Sequence, residues 1–282
     1  YLWIEENYGR AEADYHWLQE LRDYLSEAAF HPLIHYGYGD KEEMFDRHSY
    51  NKGGLVLHML RNYVGDEAFW AALNLYLTRN AYTEVEADEL RLAFEDVTGK
   101  DLIWFFEQWF FEAGHPQLDI QYDYDEATQK AIVTVEQQQD AKEMVPIFQL
   151  PVTIDIYTAP DKKMSQEVMI NERLQTFEFD VSARPKLINF DADRVLLAVK
   201  QDNKTTEEYF FQLNHTPLFL DRYEAMQSLA QSDTADTRRI FEAALKDEFY
   251  ALRAFGVYQG ELSEPLVEQI IELTKSDPHP AV

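Results

Sequence analysis

The sequence contains no cysteine, which excludes disulfide bonds, thiolate zinc sites and cysteine nucleophiles. Positive charge is also scarce, because 25 Lys and Arg stand against 52 Asp and Glu, for a formal net charge of −27. Such an acidic chain repels phosphate backbones and anionic lipid, so we expect no nucleic-acid partner. No run of about 18 apolar residues occurs, and the sequence therefore predicts no membrane span. We expect a soluble protein, and the sequence leaves open whether it is cytoplasmic, periplasmic or secreted.

Apolar material is plentiful in the 282 residues. Hydrophobic residues make up 46% of the chain and aromatic residues 14%, which is enough for sizeable cores and argues against a disordered chain. The length suits two or three domains. Acidic residues are spread along the whole chain, which indicates a solvated surface rather than a cation-binding segment. The sequence gives no indication of the oligomeric state.

Hydrophobic periodicity divides the chain into three regions. Residues 1–117 follow a period near 3.6, which predicts helices, with Gly9 as a break and an ordered loop over 31–48. At Pro116 the period changes to 2, which predicts a β-sandwich over 118–205. Helical periodicity returns near Pro217 and predicts the start of an α-helical-repeat domain over 206–282.

The individual elements follow from the same patterns. The predicted helices of the first region are 50–63, 69–77, 86–97 and 101–111, the last with Asp101 as its N-cap. The predicted strands are 118–124, 132–137, 150–157, 167–170, 176–180, 187–190 and 195–199. The predicted helices of the last region are 217–231, 235–246, 248–258 and 263–275.

Metal-ligating patterns are weak in this sequence. His31 and His35 have the i, i+4 spacing of a metal pair, but Pro32 disfavours a helix interior there and no Glu follows His31. His48 and His58 have no partner at a persuasive spacing. The sequence therefore predicts no metal ligands within residues 1–282.

One short segment places a tyrosine where it could act in catalysis. Tyr50 lies at a predicted loop-to-helix junction, and two glycines follow at Gly53 and Gly54. A phenol is protonated at neutral pH and can donate a hydrogen bond to a developing oxyanion. Because the chain has 17 tyrosines, the residues alone favour a structural role for Tyr50 over a catalytic one.

A family resemblance bears on this choice. The segment from Tyr50 to Gly53 resembles the Tyr-x-Lys-Gly region of the aminopeptidase-N-type zinc metallopeptidases, which are gluzincins. Later segments resemble that family in the same order. They are Val64-Gly65-Asp66-Glu67-Ala68-Phe69, Thr98-Gly99-Lys100-Asp101-Leu102, Phe105-Phe106-Glu107-Gln108-Trp109 and Gly114-His115-Pro116.

The resemblance implies a multidomain α+β protein with peptide substrates. Residues 1–117 would be the helical C-terminal half of a thermolysin-like catalytic domain, followed by the β-sandwich and a partial HEAT-like repeat domain. Family members use one zinc ion to hydrolyse N-terminal residues from peptides, and the family's oxyanion-stabilising tyrosine corresponds to Tyr50. The zinc motif His-Glu-x-x-His is absent from residues 1–282. We therefore expect the chain to begin just after the last zinc ligand, to bind no catalytic zinc and to be inactive alone.

Three other interpretations stay open at this stage. The motif could have been lost naturally, which would leave a non-catalytic scaffold or assembly protein of the same domain order. The parent could also be an endopeptidase, or an epoxide-hydrolysing relative, although the predicted sandwich disfavours the latter. The roles of Glu42, Glu43 and Asp46 are undetermined, and Lys52 would either pair with a carboxylate or orient the loop that carries Tyr50.

Overall fold

The computed structural model describes residues 1–231, 237–259 and 264–282, which form a mixed α/β fold of helices and two small sheets. The chain divides into two compact units. One unit consists of residues 17–158 and 162–203, and the other of residues 1–16, 159–161 and 204–282. None of the described helices is long and apolar enough to cross a membrane.

The N-terminal helices begin where the sequence periodicity begins. Helices α1 (Leu2–Tyr8) and α2 (Arg10–Leu25) are separated at Gly9, whose φ of 89° requires glycine and confirms the predicted break. The following helices are α3 (Gly53–Val64), α4 (Asp66–Arg79), α5 (Ala87–Thr98) and the short α6 (Ile103–Phe106). A short 3-10 turn covers Lys41–Met44 within the predicted loop.

Two predicted helices differ from the structure at their ends. The helix predicted over 50–63 begins as a π turn over His48–Lys52 and becomes α-helical only at Gly53. The helix predicted over 101–111 begins at Ile103 and ends in a second π turn over Glu107–Phe111. The residue at the helix boundary is Leu102, but the predicted cap, Asp101, accepts the N–H of Ile103 at 2.9 Å and so supplies the capping carboxylate.

Aromatic side chains form much of the core around these helices. Phe105, Phe106 and Trp109 are buried, and the rings of Phe106 and Phe110 stack at 4.4 Å. The run of aromatic residues over 104–111 is therefore mainly core, although Phe111 is exposed.

The strands form two sheets. The four-stranded sheet has the order β5-β2-β1-β7, and the three-stranded sheet has the order β4-β3-β6. In the larger sheet β1 pairs antiparallel with β2 and parallel with β7. Alternate residues of β2 are buried, as one covered face requires. The strands are β1 (Gln117–Asp125), β2 (Lys130–Gln137), β3 (Leu150–Ala159), β4 (Lys162–Ile170), β5 (Leu174–Asp180), β6 (Leu187–Phe190) and β7 (Val199–Asp202).

The last strand lies later in the chain than predicted. Residues 195–198 form a loop, and β7 begins at Val199. The loop is stabilised by Asp191, whose carboxylate accepts the N–H groups of Val195 and Leu196 at 3.2 and 3.3 Å. These local bonds compete with a strand ladder, so the apolar run 195–199 does not form the predicted strand.

The C-terminal helices include one that the periodicity missed. Helix α7 (Thr206–His215) begins at a capping box in which Thr205 and Glu208 satisfy each other's backbone N–H groups. The remaining helices are α8 (Phe219–Gln231), α9 (Thr237–Ala244), α10 (Tyr250–Gln259) and α11 (Glu264–Ser276). The predicted helix starts at 235 and 263 lie outside the described residues.

Two ion pairs give this helical part a recurring feature. Arg222 on α8 binds Asp247 at 2.8 and 3.1 Å, and Arg253 on α10 binds Asp277 at 2.5 and 2.9 Å. Both pairs are bidentate and span similar sequence distances, of 25 and 24 residues. The helical repeat and the β-sandwich stay predictions.

Candidate active site

The π turn His48–Lys52 presents Tyr50 to solvent. Its wide hydrogen bonds include Lys52 N–H to the Arg47 carbonyl at 2.9 Å and Gly53 N–H to the His48 carbonyl. Within the turn only Tyr50 is exposed, with 63% of its surface accessible. Its hydroxyl has no hydrogen-bond partner within the described ranges. π turns of this kind are frequent at functional sites, and this one leaves a phenol available to a ligand.

The residues on either side of Tyr50 are anchored to helix α2 and its C-terminal end. Asn51 donates from its side-chain amide to Glu20 at 2.6 Å, and Arg47 donates to Glu27 at 3.0 Å. Because both flanking residues are held, the turn positions Tyr50 on a defined backbone rather than on a free loop.

Asp46 closes the N-terminal side of the turn. Its carboxylate oxygen Oδ1 accepts the N–H of Ser49 at 2.8 Å, and its backbone carbonyl accepts the N–H of Tyr50 at 3.1 Å. The other oxygen, Oδ2, lies 2.7 Å from His31 Nε2 and 3.3 Å from His48 Nδ1. Burial raises the pKa of Asp46, but the Ser49 N–H and the two imidazoles outweigh burial and hold the pKa below its ordinary value.

His31 and His48 stack on each other beside this carboxylate. Their ring centroids are 3.7 Å apart and their planes are inclined by 27°. His48 is buried, and burial followed by the neighbouring His31 lowers its pKa against the opposing effect of Asp46. His48 Nε2 faces the backbone N–H of His31 at 3.3 Å, so its partners assign the proton to Nδ1, which faces Asp46.

The three side chains are of metal-ligating types, but their arrangement does not fit a zinc ion. Their candidate ligand atoms lie within 4.8 Å of one another. Two ligand atoms bound to a tetrahedral zinc ion at about 2.1 Å lie about 3.4 Å apart. His31 Nε2 and Asp46 Oδ2 are instead 2.7 Å apart, which is a hydrogen-bond distance. The cluster is therefore a hydrogen-bonded arrangement around Asp46.

Buried titratable groups lie beneath the turn. Lys52 is fully buried and donates to the carbonyl of Glu112 at 3.3 Å, and burial lowers its pKa to about 8. His115 is buried nearby, and burial followed by the charge of Lys52 lowers its pKa to about 4. The Tyr24 hydroxyl lies 3.4 Å from His115 Nδ1 and donates to the Gly114 carbonyl at 3.2 Å. These contacts connect the turn to the segment that leads into β1.

Comparison with known proteins bears on this region directly. Residues 10–109 match the peptidase family M1 domain. Residues 10–109, which we call the M1 segment, are thus similar to this family. The segment contains Tyr50 and its flanking anchors, and the predicted resemblance to aminopeptidase-N-type proteins is confirmed.

Several relatives of the M1 segment are aminopeptidases. Aminopeptidase M1-C of Oryza sativa subsp. japonica is 33% identical over 98 residues, which are 34% of this chain and 11% of the relative. Aminopeptidase N of Escherichia coli is 27% identical over 198 residues, which are 64% of this chain and 22% of the relative. The chain thus spans only a small part of these relatives.

A solved structure shows a similar fold along nearly the whole chain. The crystal structure of Legionella pneumophila aminopeptidase A in complex with aspartic acid superposes with a TM-score of 0.71, over 96% of this chain and 32% of that one. Its sequence identity of 15% makes this a likeness of fold alone.

The residues singled out in the M1 segment have different environments. Lys52 forms no ion pair among the described residues and contacts a backbone carbonyl instead. Glu42 and Glu43 are exposed on the 3-10 turn, where Glu43 accepts the N–H of Gly39 at 2.8 Å. His35 lies with its ring centroid 4.9 Å from that of His31, outside the Asp46 cluster.

Sequence reasoning missed the cluster of His31, Asp46 and His48. The spacing of Asp46 and His48 places both near one turn, but His31 is brought to them by the fold of the loop between. No periodic signal marks such a loop, so only the tertiary structure identifies the cluster.

Proposed function

We propose that the protein carrying this chain is a zinc metallo-aminopeptidase that hydrolyses N-terminal residues from peptides, with Tyr50 stabilising the tetrahedral oxyanion. The observation that carries the proposal is the exposed Tyr50 on an anchored π turn within the M1 segment, with a hydroxyl that bonds to none of the described residues. The relatives named aminopeptidases support the reaction class.

The chemistry required of Tyr50 is modest and well matched to a phenol. Attack of water on a peptide carbonyl places negative charge on the carbonyl oxygen. A rigidly held O–H donor stabilises that charge more than it stabilises the neutral carbonyl, and this difference accelerates the reaction. The anchors on Asn51 and Arg47 reduce the reorganisation needed for the donor to reach the oxygen.

The proposed zinc ion is not assigned to residues of this chain. The sequence has no His-Glu-x-x-His motif, and the cluster at Asp46 does not have the geometry of a zinc site. We infer that the ligands belong to other parts of the full-length protein. Residues 1–282 contribute the oxyanion donor and the structure that supports it.

The test is Tyr50→Phe in the full-length protein. We expect kcat for an aminoacyl substrate to fall by about 10²- to 10³-fold, as for the loss of one oxyanion donor. Stability should change little, because the hydroxyl has no hydrogen-bond partner among the residues that the structure describes. The exposed Tyr82 provides the matched control, and Tyr82→Phe should leave kcat unchanged. We expect the isolated 282-residue chain to be inactive, and its turnover is measured as the baseline.

The outcomes separate the competing functions. Near-wild-type turnover in the Tyr50→Phe protein would refute the assigned role of this residue. A full-length protein without any peptide hydrolysis would favour the non-catalytic scaffold instead.

A further inference from the structure

We propose that Asp46 is a positioning residue for Tyr50, and that His31 and His48 hold its carboxylate in the orientation this requires. The inference rests on the proposed oxyanion role of Tyr50. Asp46 touches the turn at two points, through its Oδ1 bond to Ser49 N–H at 2.8 Å and its carbonyl bond to Tyr50 N–H at 3.1 Å.

The position of Asp46 explains why its carboxylate matters. The first N–H groups of a helical turn have no partner within the turn, and a preceding acidic side chain satisfies them. Here the unpartnered groups include those of Ser49 and Tyr50 at the start of the π turn. The single residue Asp46 supplies acceptors to both and thereby fixes the backbone from which the phenol projects.

The two histidines restrict the remaining freedom of that carboxylate. His31 Nε2 lies 2.7 Å from Oδ2, while His31 Nδ1 lies 2.7 Å from the Pro32 carbonyl. His48 Nδ1 approaches the same Oδ2 at 3.3 Å. With Oδ2 bonded to His31 and approached by His48, Oδ1 faces Ser49, and the carboxylate cannot rotate without losing a contact on one side.

This arrangement requires two acceptor oxygens. Asparagine has nearly the same shape as aspartate but has one acceptor oxygen and one NH₂ donor. If the amide oxygen of Asn faced Ser49, the NH₂ group would face the imidazoles, and His48 carries its proton on the nitrogen that faces this position. In the reverse orientation the NH₂ group would face the Ser49 N–H. In either orientation Asp46→Asn places two N–H groups against each other and removes the negative charge that both imidazoles approach.

The experiment is a double-mutant cycle in the full-length protein. Asp46→Asn should lower kcat about tenfold with little change in KM, an effect in the range of coupling between residues in contact. In the Tyr50→Phe background the same substitution should change kcat by less than about twofold, because the donor that Asp46 positions is already lost. A merely structural role would lower kcat equally in both backgrounds.

Asp66→Asn is the matched control. Asp66 is the first residue of α4, beyond the C-terminal end of α3, and it binds Arg61 at 2.7 and 2.8 Å rather than the π turn. Asp66→Asn should leave kcat unchanged in both backgrounds.

Hydrogen exchange on the 282-residue chain gives a readout that does not depend on catalysis. Asp46→Asn should make the Tyr50 amide exchange at least about tenfold faster, while the amides of α4 keep their exchange rates.

Each result supports or overturns the positioning role. The positioning role would be overturned if Asp46→Asn lowered kcat equally in both backgrounds. It would also be overturned if Asp46→Asn did not lower kcat in the protein that retains Tyr50. Either result would leave the catalytic role of Tyr50 itself intact. If Tyr50→Phe alone keeps wild-type turnover, the proposed function fails and this inference fails with it. If Asp46→Asn does not fold, His31→Leu is the second variant, because it removes the imidazole bonded to Oδ2. It should lower kcat in the protein with Tyr50 and much less in the Tyr50→Phe protein. An equal loss of kcat in both proteins would contradict the positioning role.

Discussion

Acid should destabilise the protein through the buried imidazole of His115. This side chain is only 2% exposed, and its ring meets the Phe30 ring edge-on at 4.9 Å. Burial, followed by the charge of Lys52, lowers its pKa from 6.5 to about 4. The neutral ring is therefore strongly preferred in the folded state.

The sign and size of the effect follow from linkage. Between pH 6.5 and about 4 the unfolded chain binds the proton and the folded chain does not, so stability falls as the pH falls. The full contribution is present above pH 6.5 and is lost progressively towards pH 4. At about 1.4 kcal/mol per pKa unit, the shift corresponds to roughly 3 kcal/mol of unfolding free energy.

The assay is urea unfolding of the 282-residue chain at several pH values between 7.5 and 4.5, compared with His115→Gln. The glutamine does not titrate, so the stability of wild type relative to the variant should decrease by roughly 2.5 kcal/mol between pH 7.5 and 4.5. His48 and the carboxylates are present in both proteins and cancel in the difference. The exposed His215 is the control, and His215→Gln should follow wild type throughout. Ordinary surface substitutions change the free energy of unfolding by up to about 0.5 kcal/mol. If the difference in unfolding free energy between wild type and His115→Gln stays constant within that range at every pH, the reasoning is refuted.

Two further predictions concern groups near the turn. Gly114 has a φ of 87°, and a Cβ there would overlap the Met144 side chain, so Gly114→Ala should destabilise by at least about 1–3 kcal/mol in urea unfolding. Gly54 lies on helix α3, and a Cβ added there has no atom within 4 Å, so Gly54→Ala should be neutral or stabilising. Equal changes in unfolding free energy for the two substitutions would contradict the steric argument. Because burial lowers the pKa of Lys52 to about 8 from 10.5, the stability of wild type relative to Lys52→Met should rise as the pH increases through this interval, whereas a flat difference would be inconsistent with a buried ammonium.

Local sequence signals predicted much of the secondary structure. The change of period at Pro116 separates helices from strands, since a helix and a strand expose their apolar residues at different intervals. Gly9 breaks the first helix because its backbone angle excludes a side chain at low energy. The residue pattern also placed Tyr50 at a loop-to-helix junction, where the structure shows it exposed.

Signals failed where side chains compete with the backbone. The run 195–199 is apolar enough for a strand, yet Asp191 holds it as a loop. Helix α7 begins with the capping box of Thr205 and Glu208, a short motif that hydrophobic periodicity does not record. In both cases hydrogen bonds from polar side chains to the backbone decide where an element begins or ends.

The sequence by itself determined the periodic elements, the M1 resemblance and the identity of the candidate oxyanion donor, because each depends on residues close together in the chain. Only the tertiary structure decided how that donor is supported. His31 meets Asp46 across a loop without periodicity, and Lys52 is buried against the backbone of Glu112, 60 positions away. Contacts between distant residues depend on how elements pack, and no local pattern records that packing.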